Sequence, residues 1–86
     1  MRNSGKIQSV VLYGKAGCCL CQEAREMLER LSQRLSLNVQ EVDITSDPAL
    51  YERYKHSIPV VAIGGRVVLA GHFNEDDLLL ALQSAR

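Results

Sequence analysis

Between Ile7 and Leu35 the hydrophobic period of this chain changes, and that change limits the folds open to it. Ile7 to Tyr13 (Ile-Gln-Ser-Val-Val-Leu-Tyr) is apolar and β-branched, the pattern of a strand buried inside a sheet. Gly14 to Gly17 is a turn-rich connection. From Cys18 onward Leu20, Ala24, Met27, Leu28, Leu31 and Leu35 recur at helical spacing. Gln22, Glu23, Arg25, Glu26, Glu29 and Arg30 occupy the other faces. The segment reads as a helix of about four to five turns. A strand, a short turn and an amphipathic helix open a parallel βαβ unit, and its crossover must be right-handed.

Asn38 to Ile44 is the expected second strand. Val39 and Val42 have opposite parity there, which calls for a bulge or for partial burial of both faces. Asp47-Pro48 starts a short helix, with Asp at the cap and Pro at the first helical position. That helix should reach about Lys55 with Leu50, Tyr51 and Tyr54 facing inward, and Ile58-Pro59 ends it. Val60 to Ile63 and Arg66 to Ala70 read as strands joined by the two-residue turn Gly64-Gly65. Asn74 caps a last helix whose acidic first turn, Glu75, Asp76 and Asp77, suits the helix dipole. Leu78, Leu79, Leu80, Ala81 and Leu82 supply its core face, with an exposed remainder that could make dimer contacts. The order β-α-β-α-β-β-α predicts an α/β fold. It should be a four-stranded mixed sheet, strand order 2-1-3-4, with helices on both faces. The first strand then lies inside the sheet, which explains its apolar character.

Eighty-six residues suit a single domain, taken as 1–86. With one Phe and no Trp, the core must be built from Leu, Val and Ile. Ten basic and ten acidic residues balance to zero formal charge, so no basic field exists to hold nucleic acid or an anionic membrane. The longest apolar run falls far short of the roughly 20 residues of a membrane helix. Met1 to Lys6 leads into seven strand-like residues and not into a signal-peptide core, so a reducing cytoplasm is the expected compartment. There, a Cys-x-x-Cys pair is catalytic or metal-binding more often than structural.

Cys18 and Cys21 bracket such a pair. At helical positions i and i+3 the two sulfurs share a face and can be bridged. Cys18 falls where unpaired backbone N–H groups and the helix dipole favour an anion, here a thiolate. An ordinary thiol near pKa 8.5 is only about 3% ionised at pH 7, and a helix-end interaction of about 1–2 kcal/mol would bring it to roughly 7. Cys18 is therefore the candidate nucleophile. Cys21, one turn inside the helix, is more buried, less acidic and resolving: it attacks the mixed disulfide that Cys18 forms. Cys19 reads as a tolerated small side chain, or else as a modulator of reactivity or a site of intermolecular oxidation. A zinc site is the rival reading of the pair. Only Cys19, His56 and His72 remain as further ligands, and the second Cys-x-x-Cys of a zinc ribbon is missing.

The run Tyr13-Gly14-Lys15-Ala16-Gly17-Cys18-Cys19-Leu20-Cys21, together with Ser57-Ile58-Pro59, resembles the glutaredoxins within the thioredoxin fold. It is similar above all to short glutaredoxin-like proteins that carry Gly-Cys-x-Leu-Cys. The resemblance implies a cis bond before Pro59, which would set Pro59 against the cysteines and leave the Ile58 backbone free to pair with an extended thiol substrate. It implies that Lys15 meets a glutathione carboxylate or supports the thiolate, and that Gly71 and His72 approach the substrate. It further implies a small dithiol thiol–disulfide oxidoreductase of cell redox homeostasis. That protein would be monomeric and free of bound cofactors, with glutathione as co-substrate and protein or small-molecule disulfides as partners. Two departures stand out. Ala70 to Asp77 carries one glycine where glutathione-binding members carry a pair, and Leu20 replaces an aromatic residue. They motivate two alternatives: a dithiol carrier reduced by a thioredoxin-type reductase, and an adaptor or metal-binding module without turnover.

Overall fold

The computed structural model describes residues 7–84. It contains β1 (Gln8–Gly14), α1 (Cys19–Ser32), β2 (Leu37–Asp43), α2 (Pro48–Tyr54), β3 (Val60–Ile63), β4 (Arg66–Ala70) and α3 (Glu75–Ser84). A single 3₁₀ turn, Ile44–Ser46, joins β2 to α2. The sheet runs β2-β1-β3-β4, the expected order, and it is the sheet of a thioredoxin-like fold. β1 pairs in parallel with β2 from Gln8↔Leu37 to Gly14↔Asp43, and antiparallel with β3 from Val10↔Ile63 to Tyr13↔Val60. The β1–β2 ladder has no bulge. The opposite parity of Val39 and Val42 is met by half-burial of both side chains, and the one irregularity lies between Val61 and Ala62 on the β3–β4 pair.

Alternation along β1 divides the core. Val10 and Leu12 face the same side as their partners Ile63 and Val61. Against them pack Ala24, Met27, Leu28 and Leu31 of α1, Phe73, and Leu78 and Leu82 of α3. Tyr13 points to the opposite side, where its ring lies 4.8 Å from that of Tyr54 at the end of α2. The expected inward face of α2 is only partly realised. Leu50 and Tyr54 are half-buried, Tyr51 is exposed, and this two-turn helix buries no residue fully. Ile7, read as the first residue of the buried strand, precedes β1 and is 62% exposed.

The helix ends follow from local chemistry. α1 is 14 residues long, shorter than its apolar spacing implies. Its last turn tightens as the Gln33 N–H bonds the Arg30 and Leu31 carbonyls, and Leu35 lies beyond it, half-buried against the core. Asp47 accepts from the Ala49 N–H at 2.9 Å, with Pro48 following as the first helical residue. Asn74 and Asp77 exchange side-chain bonds with each other's backbone N–H at 2.8 and 3.0 Å, a reciprocal capping box. Gly64 and Gly65 both take positive φ (+61° and +83°), as a two-residue hairpin turn with right-handed strands requires. Among the described residues no helix is long and apolar enough to cross a membrane.

Truncating Leu28, 1% exposed at the centre of the α1 contact, should cost about 2–5 kcal/mol in denaturant unfolding. Asn74→Ala should cost about 1 kcal/mol, and truncating the exposed Leu80 should change stability by less than about 0.5 kcal/mol.

Candidate redox site

Three segments meet at one end of the sheet because of strand register. β1 ends at Gly14, and the turn to α1 follows. Tyr13 pairs with Val60, so Pro59 comes to the same end, and Val60 pairs with Ala70, which brings Gly71 beside Pro59. The Gly71 N–H fastens this corner by donating to both the Ser57 carbonyl (2.8 Å) and the Pro59 carbonyl (2.9 Å).

Cys18 is the N-cap of α1 and not its first helical residue. Its backbone is extended (φ −95°, ψ 113°), and its Sγ accepts from the Cys21 N–H at 3.3 Å. The Cys18 carbonyl receives the first helical bond, from the Gln22 N–H at 3.1 Å. The sulfur thus takes the place of the serine or aspartate oxygen that ordinarily closes a helix start. Partial burial by itself raises the Cys18 pKa. The hydrogen bond with the Cys21 side chain, the Cys21 and Leu20 backbone N–H groups and the charge of Lys15 outweigh it, so the thiol ends below its ordinary value.

Cys21 is 3% exposed and differs in kind. Burial, reinforced by its hydrogen bond with Cys18, pushes its pKa up to about 11. The Lys15 backbone also bonds this sulfur. Gly14 lies directly against it: a Cβ built at position 14 would stand 2.9 Å from Cys21 Sγ and 3.1 Å from Cys21 Cβ. In the sequence Gly14 stands only as the first residue of a turn-rich connection. The signal available was a glycine closing a strand immediately before a cysteine motif, where a close backbone approach is one standard reason for the residue type. Cys19 is exposed, and all three cysteines are free thiols.

The Ile58–Pro59 bond is cis, as the resemblance implied, and Pro59 is buried. The expectation of a free Ile58 backbone needs correction. Its N–H donates to the Tyr54 carbonyl at 3.1 Å, at the end of α2. Its carbonyl has no donor among the described residues. Lys15 is exposed and contributes through its charge and backbone. His72 is exposed, and among the described residues no hydrogen bond ties it to either cysteine of the pair. Among the described residues no three His, Cys, Asp or Glu side chains are grouped as a metal site requires. A separate groove of about 300 Å³, lined by Arg25, Leu28, Glu29, Ser32, Val39 and Glu41, lies between α1 and β2 and touches neither cysteine.

Comparison with known proteins agrees with the fold and shows the family. Residues 9–83 match the family model described as "Glutaredoxin-like domain (DUF836)". A glutaredoxin-like protein of Dictyostelium discoideum is 22% identical over 88 residues, covering 95% of this chain and 82% of that protein. An uncharacterised protein of Mycobacterium bovis is 32% identical over 62 residues, covering 66% of this chain and 64% of its own length. Among solved structures, a protein of X. campestris superposes with a TM-score of 0.77 at 29% identity, covering 90% of this chain and 99% of that one. A thioredoxin of Halobacterium salinarum shares the fold, with a TM-score of 0.71 at 22% identity and coverage of 91% and 74%. With the family model spanning nearly its whole length, this chain belongs to the glutaredoxin-like domain family.

Proposed function

We propose that this chain is a small dithiol thiol–disulfide oxidoreductase of a reducing cytoplasm, with Cys18 attacking and Cys21 resolving. The observation that carries the proposal is the unlike environment of two hydrogen-bonded thiols. One is half-buried at a helix cap and held below the usual thiol pKa, and the other is buried with a pKa of about 11. In the cycle, the Cys18 thiolate attacks a target disulfide, a mixed disulfide forms, and one target thiolate leaves. Cys21 gives up its proton, attacks the Cys18 sulfur and expels the second target thiolate. The target gains two electrons and the Cys18–Cys21 pair is left oxidised. The Pro59 loop lies at the same end of the sheet as the turn into α1, and its open Ile58 carbonyl is a backbone acceptor for an extended substrate.

A particular observation favours a dithiol protein over glutathione as the reductant. The first turn of α3 is closed by the Asn74–Asp77 box and carries three acidic side chains, a poor setting for a peptide carboxylate. The Gly71 N–H, a candidate glutathione donor, is already shared between two carbonyls.

Three outcomes are expected. Cys21→Ser should trap the Cys18 mixed disulfide, visible by mass spectrometry, and lower disulfide turnover by about tenfold or more. Unchanged turnover in that variant would sink the dithiol cycle and leave a monothiol mechanism at Cys18; absence of turnover in the unaltered protein would instead favour a non-redox adaptor. Alkylation should follow the thiolate fraction, which rises with pH. In a Cys19→Ser background, Cys18 should reach half its maximal rate below the ordinary thiol range, and Cys21 near pH 11. Turnover should be supported by a thioredoxin-type reductase, and full turnover with glutathione alone would reverse the choice of reductant.

A further inference from the structure

We infer that Gly14 is a positioning residue for Cys21: the missing side chain sets the depth at which the resolving sulfur sits, and so its approach to Cys18. The inference rests on the reading of Cys18 and Cys21 as a working dithiol. Gly14 is the last residue of β1, so its Cα is fixed by the ladder to Asp43 on β2. Cys21 is in the first turn of α1, with its backbone N–H committed to Cys18 Sγ. Two fixed elements therefore face each other with only the Cys21 side chain between them. A methyl group at position 14 would stand 2.9 Å from Sγ and 3.1 Å from Cβ, well inside the usual 3.5–4.0 Å contact of about van der Waals range. Relief requires either a change of the Cys21 rotamer or an outward shift of the helix start. Each moves the sulfur relative to Cys18. The next residue adds a second constraint, because the Lys15 backbone bonds the same sulfur. The strand end is thus a cradle, with a bare Cα as its floor and a backbone donor at its edge. Position 17, the other glycine of the turn, has open space where its Cβ would be.

Disulfide closure is sensitive to this placement, because bond length, dihedral and Cβ separation are narrowly defined. A displacement on the order of 1 Å can cost about a hundredfold in rate. Dithiobis-nitrobenzoate separates the two steps. Cys18 attacks the reagent and releases one thionitrobenzoate. Cys21 then loses its proton, attacks the Cys18 sulfur and releases the second, so the reagent disulfide is reduced as the protein disulfide forms. In a Cys19→Ser background, Gly14→Ala should slow the second release by about tenfold or more while the first changes by less than about threefold. Equal slowing of both steps, or of neither, would overturn the inference. Absence of the second release in the Gly14-containing protein would instead overturn the dithiol reading itself. Circular dichroism checks folding. If Gly14→Ala does not fold, Gly14→Ala/Cys21→Gly should, because the contacts at 2.9 and 3.1 Å are then both gone. Failure of both alike would place the role of Gly14 elsewhere.

Discussion

The parallel pairing of β1 with β2 is the constraint on which the rest of the molecule depends. Parallel neighbours need a crossover, and a crossover helix must begin at the carboxyl end of the first strand. α1 therefore starts where β1 stops, and the Lys15–Cys18 turn has no other place to lie. The same strand pairs antiparallel with β3, whose first residue, Val60, is held opposite Tyr13. Pro59 arrives beside the turn as a result of that register, and Gly71 arrives beside Pro59 through the next one. Main-chain ladders position the site, and the side chains then differentiate it.

That differentiation is electrostatic and steric at once. Cys18 stands where a helix start offers donors, and Cys21 stands where a strand end offers almost no room. The hydrogen bond between them lowers one thiol and raises the other. Two residues of the same type, three positions apart, thereby acquire opposite preferences for the proton.

Much of this was legible in the chain. The change from β-branched run to helical spacing at Cys18, the Asp47-Pro48 and Asn74 caps and the Gly64-Gly65 turn each carry their own local reason, and the elements form within a residue or two of those signals except at the end of α1, which stops at Ser32 and leaves Leu35 beyond it. The strand order followed from placing the most apolar strand inside. What could not be read depends on contacts between distant segments. Tyr51 lies at an inward-looking spacing, yet α2 is too short to cover that face of the sheet, so the ring stays exposed. Gly14 looks like an ordinary turn residue in the sequence, because its importance comes from Cys21 packed on it, and the resemblance points to Gly71 as a substrate neighbour without showing the two carbonyls that converge on its N–H. The Ile58 N–H is taken by Tyr54, a hydrogen bond that no periodicity announces.

The use of a cysteine as helix cap ties the order of α1 to the chemical state of one sulfur. A helix start that stabilises the Cys18 thiolate is itself stabilised by that thiolate, to the same degree, by thermodynamic linkage. When Cys18 enters a disulfide the anion is gone and the helix start loses that share of support. In the proposed cycle the folding free energy of α1 therefore acts as a built-in bias toward the reduced form, so the protein's secondary structure becomes part of its redox couple.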